Sequence, residues 1–314
     1  KVQAERVITT GGWYEYLKIA EGCNKNCSYC IIPKIRGPYR SIPMEELILQ
    51  AQQLAGKGVK ELILVAQETT LYGVDLYGEK KLPVLLKKLC QIEGIEWIRV
   101  LYCYPEEITK ELIETIKTEK KICHYLDIPI QHASNRVLKR MGRRTNKEEL
   151  RSIIENIRKE IPDIALRTTL IAGFPGETEE DYKEIVEFVE EMEFERLGVF
   201  AYSPEEDTKA AEMEEQVPEE IKEERREGLM ELQQEIAFDR AQDMVGRTLQ
   251  VLIEGKLADE NAYIGRSYMD APNVDGYVFV NTMEELLSGD FVKVKITGAL
   301  EYDLIGEIKN EFTK

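Results

Sequence analysis

Three cysteines, Cys23, Cys27 and Cys30, fall within eight positions of the stretch EGCNKNCSYC, with the spacing CxxxCxxC. Thiols this close bind metal, yet structural zinc sites and ordinary iron–sulfur clusters take four protein ligands. Two chemistries stay open for a trio. A zinc knuckle would draw its fourth ligand from a distance, and His124 and His132 are the histidines available. Alternatively, three thiolates on a cubane cluster leave one iron free to bind a small molecule, as catalytic zinc sites keep an open position.

The elements that must hold those thiols follow a regular rhythm. Apolar runs at 15–20, 61–66, 97–102, 124–130, 165–172 and 197–202 read as six strands. Amphipathic helical patterns lie between or beside them near 43–57, 81–92, 106–118, 134–141, 146–160 and 178–193, with capping signals such as Thr178 ahead of Asp181. Strand and helix in alternation imply parallel strands with right-handed crossovers, and six units make a barrel short of eight with an open side. The segments after the strands are EGCNKNCSYC, QETT, CYPEE, QHAS, GFPGET and SPEEDT. Ligands of parallel α/β folds collect at the C-terminal ends of strands, so the trio stands on the expected active face. A long charged helix follows over about 218–243, a packing strut with a solvated face. From 246 the pattern switches to period two, with five short strands in about 70 residues, which predicts a small antiparallel β-barrel.

Composition narrows the partners. The net charge of −17 repels polyanions and disfavours nonspecific nucleic-acid binding, while a basic partner is favoured. No apolar run approaches the roughly 20 residues that span a bilayer, so the expected location is cytoplasmic, with no membrane partner. Cys90, Cys103 and Cys123 lie among apolar residues and read as core thiols. The chain opens on Lys1, and KVQAERVITTGG reads as a linker leaving a preceding domain.

With CxxxCxxC closing a first strand and an aromatic, Tyr29, before the last cysteine, the chain resembles the radical S-adenosylmethionine enzymes. That resemblance implies a partial (β/α)6 TIM-like radical SAM barrel. Cys23, Cys27 and Cys30 would hold a 4Fe-4S cluster whose free iron is chelated by the amine and carboxylate of S-adenosyl-L-methionine. The blocks SNRVLKRMGRR (134–144), GFPGETEEDY (173–182) and YSPEEDTKAA (202–211) resemble the methylthiotransferases within that superfamily, and 246–314 resemble their C-terminal TRAM domain. IQHAS (130–134) and DAPNVDGYVFV (270–280) are similar to the branch that methylthiolates the β-carbon of an aspartate in small ribosomal subunit protein twelve. The implied division is a linker over 1–12 from a missing N-terminal domain, a radical SAM domain over 13–243 and a TRAM domain over 244–314. The family's second cluster would lie in that missing domain.

The resemblance also distributes roles. Tyr29 would lie beside the adenine, Gln67 and Glu68 near the cofactor's amine, and Gln131 at its ribose or carboxylate. Gly173 and Gly176 would let backbone approach the adenine, with Glu177 in the first helical turn, although GFPGET is also a plain strand-to-helix turn. Arg167 inside a strand is too costly to bury unpaired, so it needs a carboxylate, either the cofactor's methionyl end or an acid such as Asp127. His132 reads as a surface or hydrogen-bonded histidine and His124 as structural. Arg136, Lys139, Arg140, Arg143 and Arg144 read as a solvated helix or as charge screening for the cluster. An electron donor such as flavodoxin or ferredoxin is implied. Two rivals stand beside this reading: tRNA adenosine methylthiolation, and a zinc-containing RNA- or ribosome-binding protein without catalysis. Residues 246–314 carry seven Lys and Arg against twelve Asp and Glu, a net of −5 that suits a basic ribosomal protein better than tRNA.

Overall fold

The computed structural model describes residues 8, 10–258 and 260–308. Most of the expected linker, residues 1–7 and 9, lies outside them. The first part of the chain runs β1 (Tyr14–Lys18), β2 (Ala20–Glu21), α1 (Ile32–Arg36), β3 (Arg40–Ser41), α2 (Met44–Gly56), β4 (Glu61–Val65), α3 (Val74–Tyr77), α4 (Leu82–Cys90) and β5 (Trp97–Val100). It continues through α5 (Lys110–Thr118), β6 (Ile122–Asp127), α6 (Asn135–Met141), α7 (Lys147–Glu160), β7 (Ala165–Ala172), α8 (Glu179–Met192), β8 (Arg196–Ala201) and α9 (Glu219–Gln242).

Six strands pair in the order β1-β4-β5-β6-β7-β8, every neighbour parallel. The sheet does not close, so β1 and β8 are its two edges. Its strands are near-continuous apolar runs because helices cover the outer face, and β4 (ELILV) buries its first four residues. Thr178 caps α8 and Asn146 caps α7, each in a capping box that satisfies orphan backbone donors. Helix α9 packs along β7 and β8 with Leu229, Gln233 and Ala237 buried. Its Lys222 and Arg225 are buried as well, so the helix is more than a solvated strut.

Sequence periodicity did not reveal the two-residue ribbon of β2 and β3, in which Ala20 pairs with Ser41 and Glu21 with Arg40. Two residues are too few to show a period, but they matter, because they tie off the loop that carries the cysteines. Gly22 starts that loop at φ +85°, and a Cβ there would stand 2.2 Å from the carbonyl oxygen of Pro38. Only glycine fits so close an approach.

The second part folds as β9 (Thr248–Lys256), β10 (Ala262–Arg266), β11 (Val278–Asn281), β12 (Phe291–Ala299) and β13 (Leu304–Ile308), closed in the order β10-β11-β13-β12-β9. Four of its pairings are antiparallel, and β11 with β13 is parallel. This small barrel sits against the strand starts of the first. Trp97, Tyr125 and Ala165 share one apolar core with Val251, Val278 and Ile296, and the rings of Trp97 and Phe291 meet edge to face at 4.9 Å. Beside that core, Glu61 of β4 is paired with Arg99 of β5 and Arg266 of β10, all fully buried. No helix among the described residues is long and apolar enough to cross a membrane.

Candidate functional site

The cysteine loop is held by backbone from both sides. Cys23 N donates to Gly37 O at 3.2 Å, Ser28 N to Met141 O at 2.8 Å, and Ala210 N to Ser28 O at 2.8 Å. Ser28 Oγ adds a bond to Arg140 O at 2.8 Å, so the loop rests on the end of α6. Asn26, at φ +55°, turns the chain between the first two cysteines, a conformation that asparagine tolerates. All six cysteines of the chain are free thiols.

Cys23, Cys27 and Cys30 open together onto one cavity of about 540 Å³ inside the partial barrel. Tyr29, Gln67, Gln131 and Arg167 line the same cavity, as four of the expected cofactor residues. Burial pushes the Cys23 and Cys30 thiols up, and the neighbouring cysteines add to that. Ionising them therefore requires a cation, and metal binding would release their protons.

Cations gather on the Cys27 side. The hydroxyl of Tyr104 lies 2.9 Å from Cys27 Sγ, with the Arg143 guanidinium 4.2 Å and Lys25 Nζ 4.7 Å from the centre of its ring. Arg143 is 8 % exposed and donates to Pro129 O at 2.7 Å, so it is a wall residue rather than part of a solvated helix. Lys25 pairs with Glu106 at 3.3 Å and with Glu107.

Gln131 follows β6 at φ +71°, braced by Gln131 N to Thr169 O and Ile171 N to Gln131 O, both 2.9 Å. Its Oε1 is buried, and nothing among the described residues donates to it. Gln67 accepts from Gly22 N at 2.7 Å, which places it against the start of the cysteine loop.

Four expected cofactor residues are not brought to the cavity wall. Glu68 is fully buried and closes its own turn, accepting from the backbone N of Thr70 at 2.8 Å and from its hydroxyl, while Oε2 has no partner among the described residues. Burial pushes its carboxyl up to about 7. Glu177 is saturated from behind: Oε2 meets His132 Nε2 at 2.9 Å, and Oε1 accepts from Arg225 Nη1 at 2.9 Å and from Gly173 N at 3.1 Å. Gly173 and Gly176 make room for side chains, since a Cβ on either would strike Lys222 at 2.3 Å or Arg140 at 2.7 Å. Their segment reaches the cavity at second hand, through the Phe174 ring set edge-on to Tyr29 at 6.4 Å. Arg167 lines the cavity, but its carboxylate is Asp275 of the second barrel, 3.7 Å away.

Neither histidine can complete a zinc knuckle. His132 is fully buried, with Nε2 on Glu177 and Nδ1 accepting from Ser134 N at 3.0 Å, and His124 pairs with Asp163 at 2.7 Å. No three His, Cys, Asp or Glu side chains among the described residues meet in a group able to hold one ion. A polynuclear cluster seats its thiolates on separate irons and so spreads them farther than one ion does. Three free thiols on one cavity, with Arg143 and an unpartnered Gln131 Oε1 on its wall, supply the donors for such a cluster with a polar ligand at its free corner.

An open six-stranded parallel barrel with three free thiols at the C-terminal end of its first strand defines a radical S-adenosylmethionine enzyme. The model of the Radical SAM superfamily matches residues 17–189, and that of the TRAM domain matches 245–308. The ribosomal protein uS12 methylthiotransferase RimO of Lachnoclostridium phytofermentans is 67% identical over 306 residues, 98% of this chain and 70% of its own length. That of Acetivibrio thermocellus is 52% identical over 310 residues, 99% of this chain and 68% of its own length. This chain belongs to the RimO family of radical SAM methylthiotransferases. Among solved structures, coproporphyrinogen III oxidase (HemN) of Escherichia coli shares the fold at TM-score 0.54 and 16% identity, over 81% of this chain and 66% of that one.

Proposed function

We propose that this chain takes a hydrogen atom from the β-carbon of an aspartate in ribosomal protein uS12, the carbon that then receives the methylthio group. The observation that carries this reading is the placement of Cys23, Cys27 and Cys30 as free thiols on one cavity of about 540 Å³. The three thiolates hold a 4Fe-4S cluster. When bound, it supplies the electron that splits the sulfonium of S-adenosyl-L-methionine into methionine and a 5′-deoxyadenosyl radical.

The chain's own residues seat the cofactor and keep it dry. Tyr29, backed by Phe174, offers a ring face to the adenine. Gln131 Oε1 accepts from a hydroxyl or amine of the ligand, relieving a buried acceptor left bare. Gln67 stands where the amine end would lie. Ala66, Leu101 and Pro33 supply apolar wall that excludes water from a radical. Arg143 offsets part of the negative charge of the thiolates. Glu68, Gly173, Gly176 and Glu177 act as positioning residues behind this layer.

The working parts are a radical SAM domain over 13–243 and a TRAM domain over 244–314. The acidic balance favours a basic protein substrate over tRNA, and a small electron carrier such as flavodoxin or ferredoxin supplies the reductant in the cytoplasm. The test is isotopic. Reconstituted protein is given uS12 bearing β-deuterated aspartate, or unlabelled tRNA, and the 5′-deoxyadenosine is weighed by mass spectrometry. Deuterium should pass from uS12 into 5′-deoxyadenosine. Cleavage of the cofactor with uS12 present but no deuterium transferred from it would overturn the proposal.

A further inference from the structure

The cavity that holds the three thiols is not built by the first barrel alone. Val274, from the segment between β10 and β11, lines it and remains 50 % exposed. This segment is fixed from below by three strands. Asn273, at φ +63°, donates through Nδ2 to the Tyr14 hydroxyl of β1 at 3.1 Å. Asp275 accepts from the Tyr125 hydroxyl of β6 at 2.7 Å and from Ala271 N at 2.8 Å, and it faces Arg167 of β7 at 3.7 Å.

Arg167 and Thr169 line the same cavity from alternate positions of β7, which ends at Ala172. A cofactor chelated beside the cysteines, with its adenine against Tyr29, leaves the Arg167 end for a second molecule. Of the cations lining the cavity, Lys25 is taken up by Glu106 and Glu107, and Arg143 by Pro129 O and the Tyr104 ring. Arg167 stands at 3.7 Å from Asp275, longer than a hydrogen bond, and a guanidinium has five donors to give. Of the two acids that face it, Asp275 commits Oδ2 to Tyr125 and Ala271 N and turns Oδ1 to Arg167, while Asp127 accepts from Tyr102 N at 3.1 Å.

We infer that the second barrel is part of the catalytic site: Val274, held in place by Asn273 and Asp275, forms the cavity floor and, with Arg167 on the same cavity, sets how deeply the substrate's acidic side chain can enter. This rests on the function proposed above. A floor of fixed height distinguishes aspartate from glutamate by one methylene, which a well-packed pocket discriminates by about 10- to 200-fold. The fork of Arg167 receives the carboxylate and so orients the β-carbon toward the cofactor end.

The experiment measures the Kd of the whole protein for uS12 and for uS12 with its target aspartate replaced by glutamate. The unaltered protein should bind the aspartate form at least about tenfold more tightly. Val274→Ala deepens the floor and should shrink that preference by about tenfold, and Val274→Trp should weaken binding of both forms by about tenfold or more. Val274 is half exposed, so thermal melts should show both variants folded. A preference unchanged within about twofold in Val274→Ala overturns this inference alone, whereas failure of the unaltered protein to bind uS12 overturns it together with the proposed function.

Discussion

Replacing Glu61 with glutamine strips the charge from a carboxylate shared by two arginines across the seam of the barrels. Arg99 Nε donates to Oε1 at 2.9 Å, Arg266 Nη1 to Oε1 at 3.3 Å, and Arg266 Nη2 binds Oε2, with all three residues 0% exposed. Burial pushes the Glu61 carboxyl up, but Arg266 and Arg99 outweigh it and hold the group below the usual carboxylate range. Breaking a buried ion pair from one side costs about 3–5 kcal/mol, because the remaining charge is left uncompensated. Arg266 keeps Glu254, whereas Arg99 falls back on the carbonyls of Tyr268 and Ser267, so the loss is felt mostly at Arg99. At about 2–4 °C per kcal/mol, Glu61→Gln should lower Tm by about 6–20 °C at neutral pH, read by calorimetry. The sign with pH follows from a lowered folded pKa. The stabilisation is present above the unfolded value of about 4.3 and is lost as pH falls, so the gap to the unaltered protein should narrow in acid. A loss below about 1 kcal/mol at pH 7, or a gap that widens in acid, would refute the reasoning.

Two further carboxylates give opposite pH signatures. Asp181 is pushed up by burial, but Arg136, Ser134 and the Thr178 cap outweigh that and hold it well below the usual range. Asp181→Asn should cost about 1–3 kcal/mol at pH 7 by urea titration, with the deficit shrinking as pH falls through the carboxylate range. Glu68 has a folded pKa raised to about 7 by burial, so the unfolded chain ionises first and stability should fall as pH rises from about 4.3 to about 7. Glu68→Gln should flatten that slope, and an unchanged slope would show that Glu68 does not titrate between those limits.

Local chemistry and periodicity made much of this legible. Cys23, Cys27 and Cys30 announce themselves by spacing, and their place at a strand end follows from the alternation of apolar runs with helices. The six strands and the switch to period two after 246 both correspond to observed elements. What stayed hidden depends on contacts far apart in sequence. Tyr104 meets Cys27 across 77 residues, and the choice between a solvated and a buried Arg143 is made by its stacking on that distant ring. Val274 and Asp275 lie in the other barrel, so their role needs the seam to be seen. The glycines and glutamate of GFPGET resemble ligand-contacting residues in sequence, and yet His132, Arg140, Lys222 and Arg225 occupy them from behind. A motif fixes the residue types at a turn, while the opposite side of that turn depends on helices α6 and α9.

The most direct measurement combines metal content with cofactor cleavage. Protein reconstituted anaerobically with iron and sulfide should hold about four irons on the CxxxCxxC trio and, with a reductant, convert S-adenosyl-L-methionine to 5′-deoxyadenosine. Cys27→Ala should lose both the irons of this site and the product while keeping its fold. Stoichiometric zinc in place of iron, or 5′-deoxyadenosine formed undiminished by Cys27→Ala, would contradict the account.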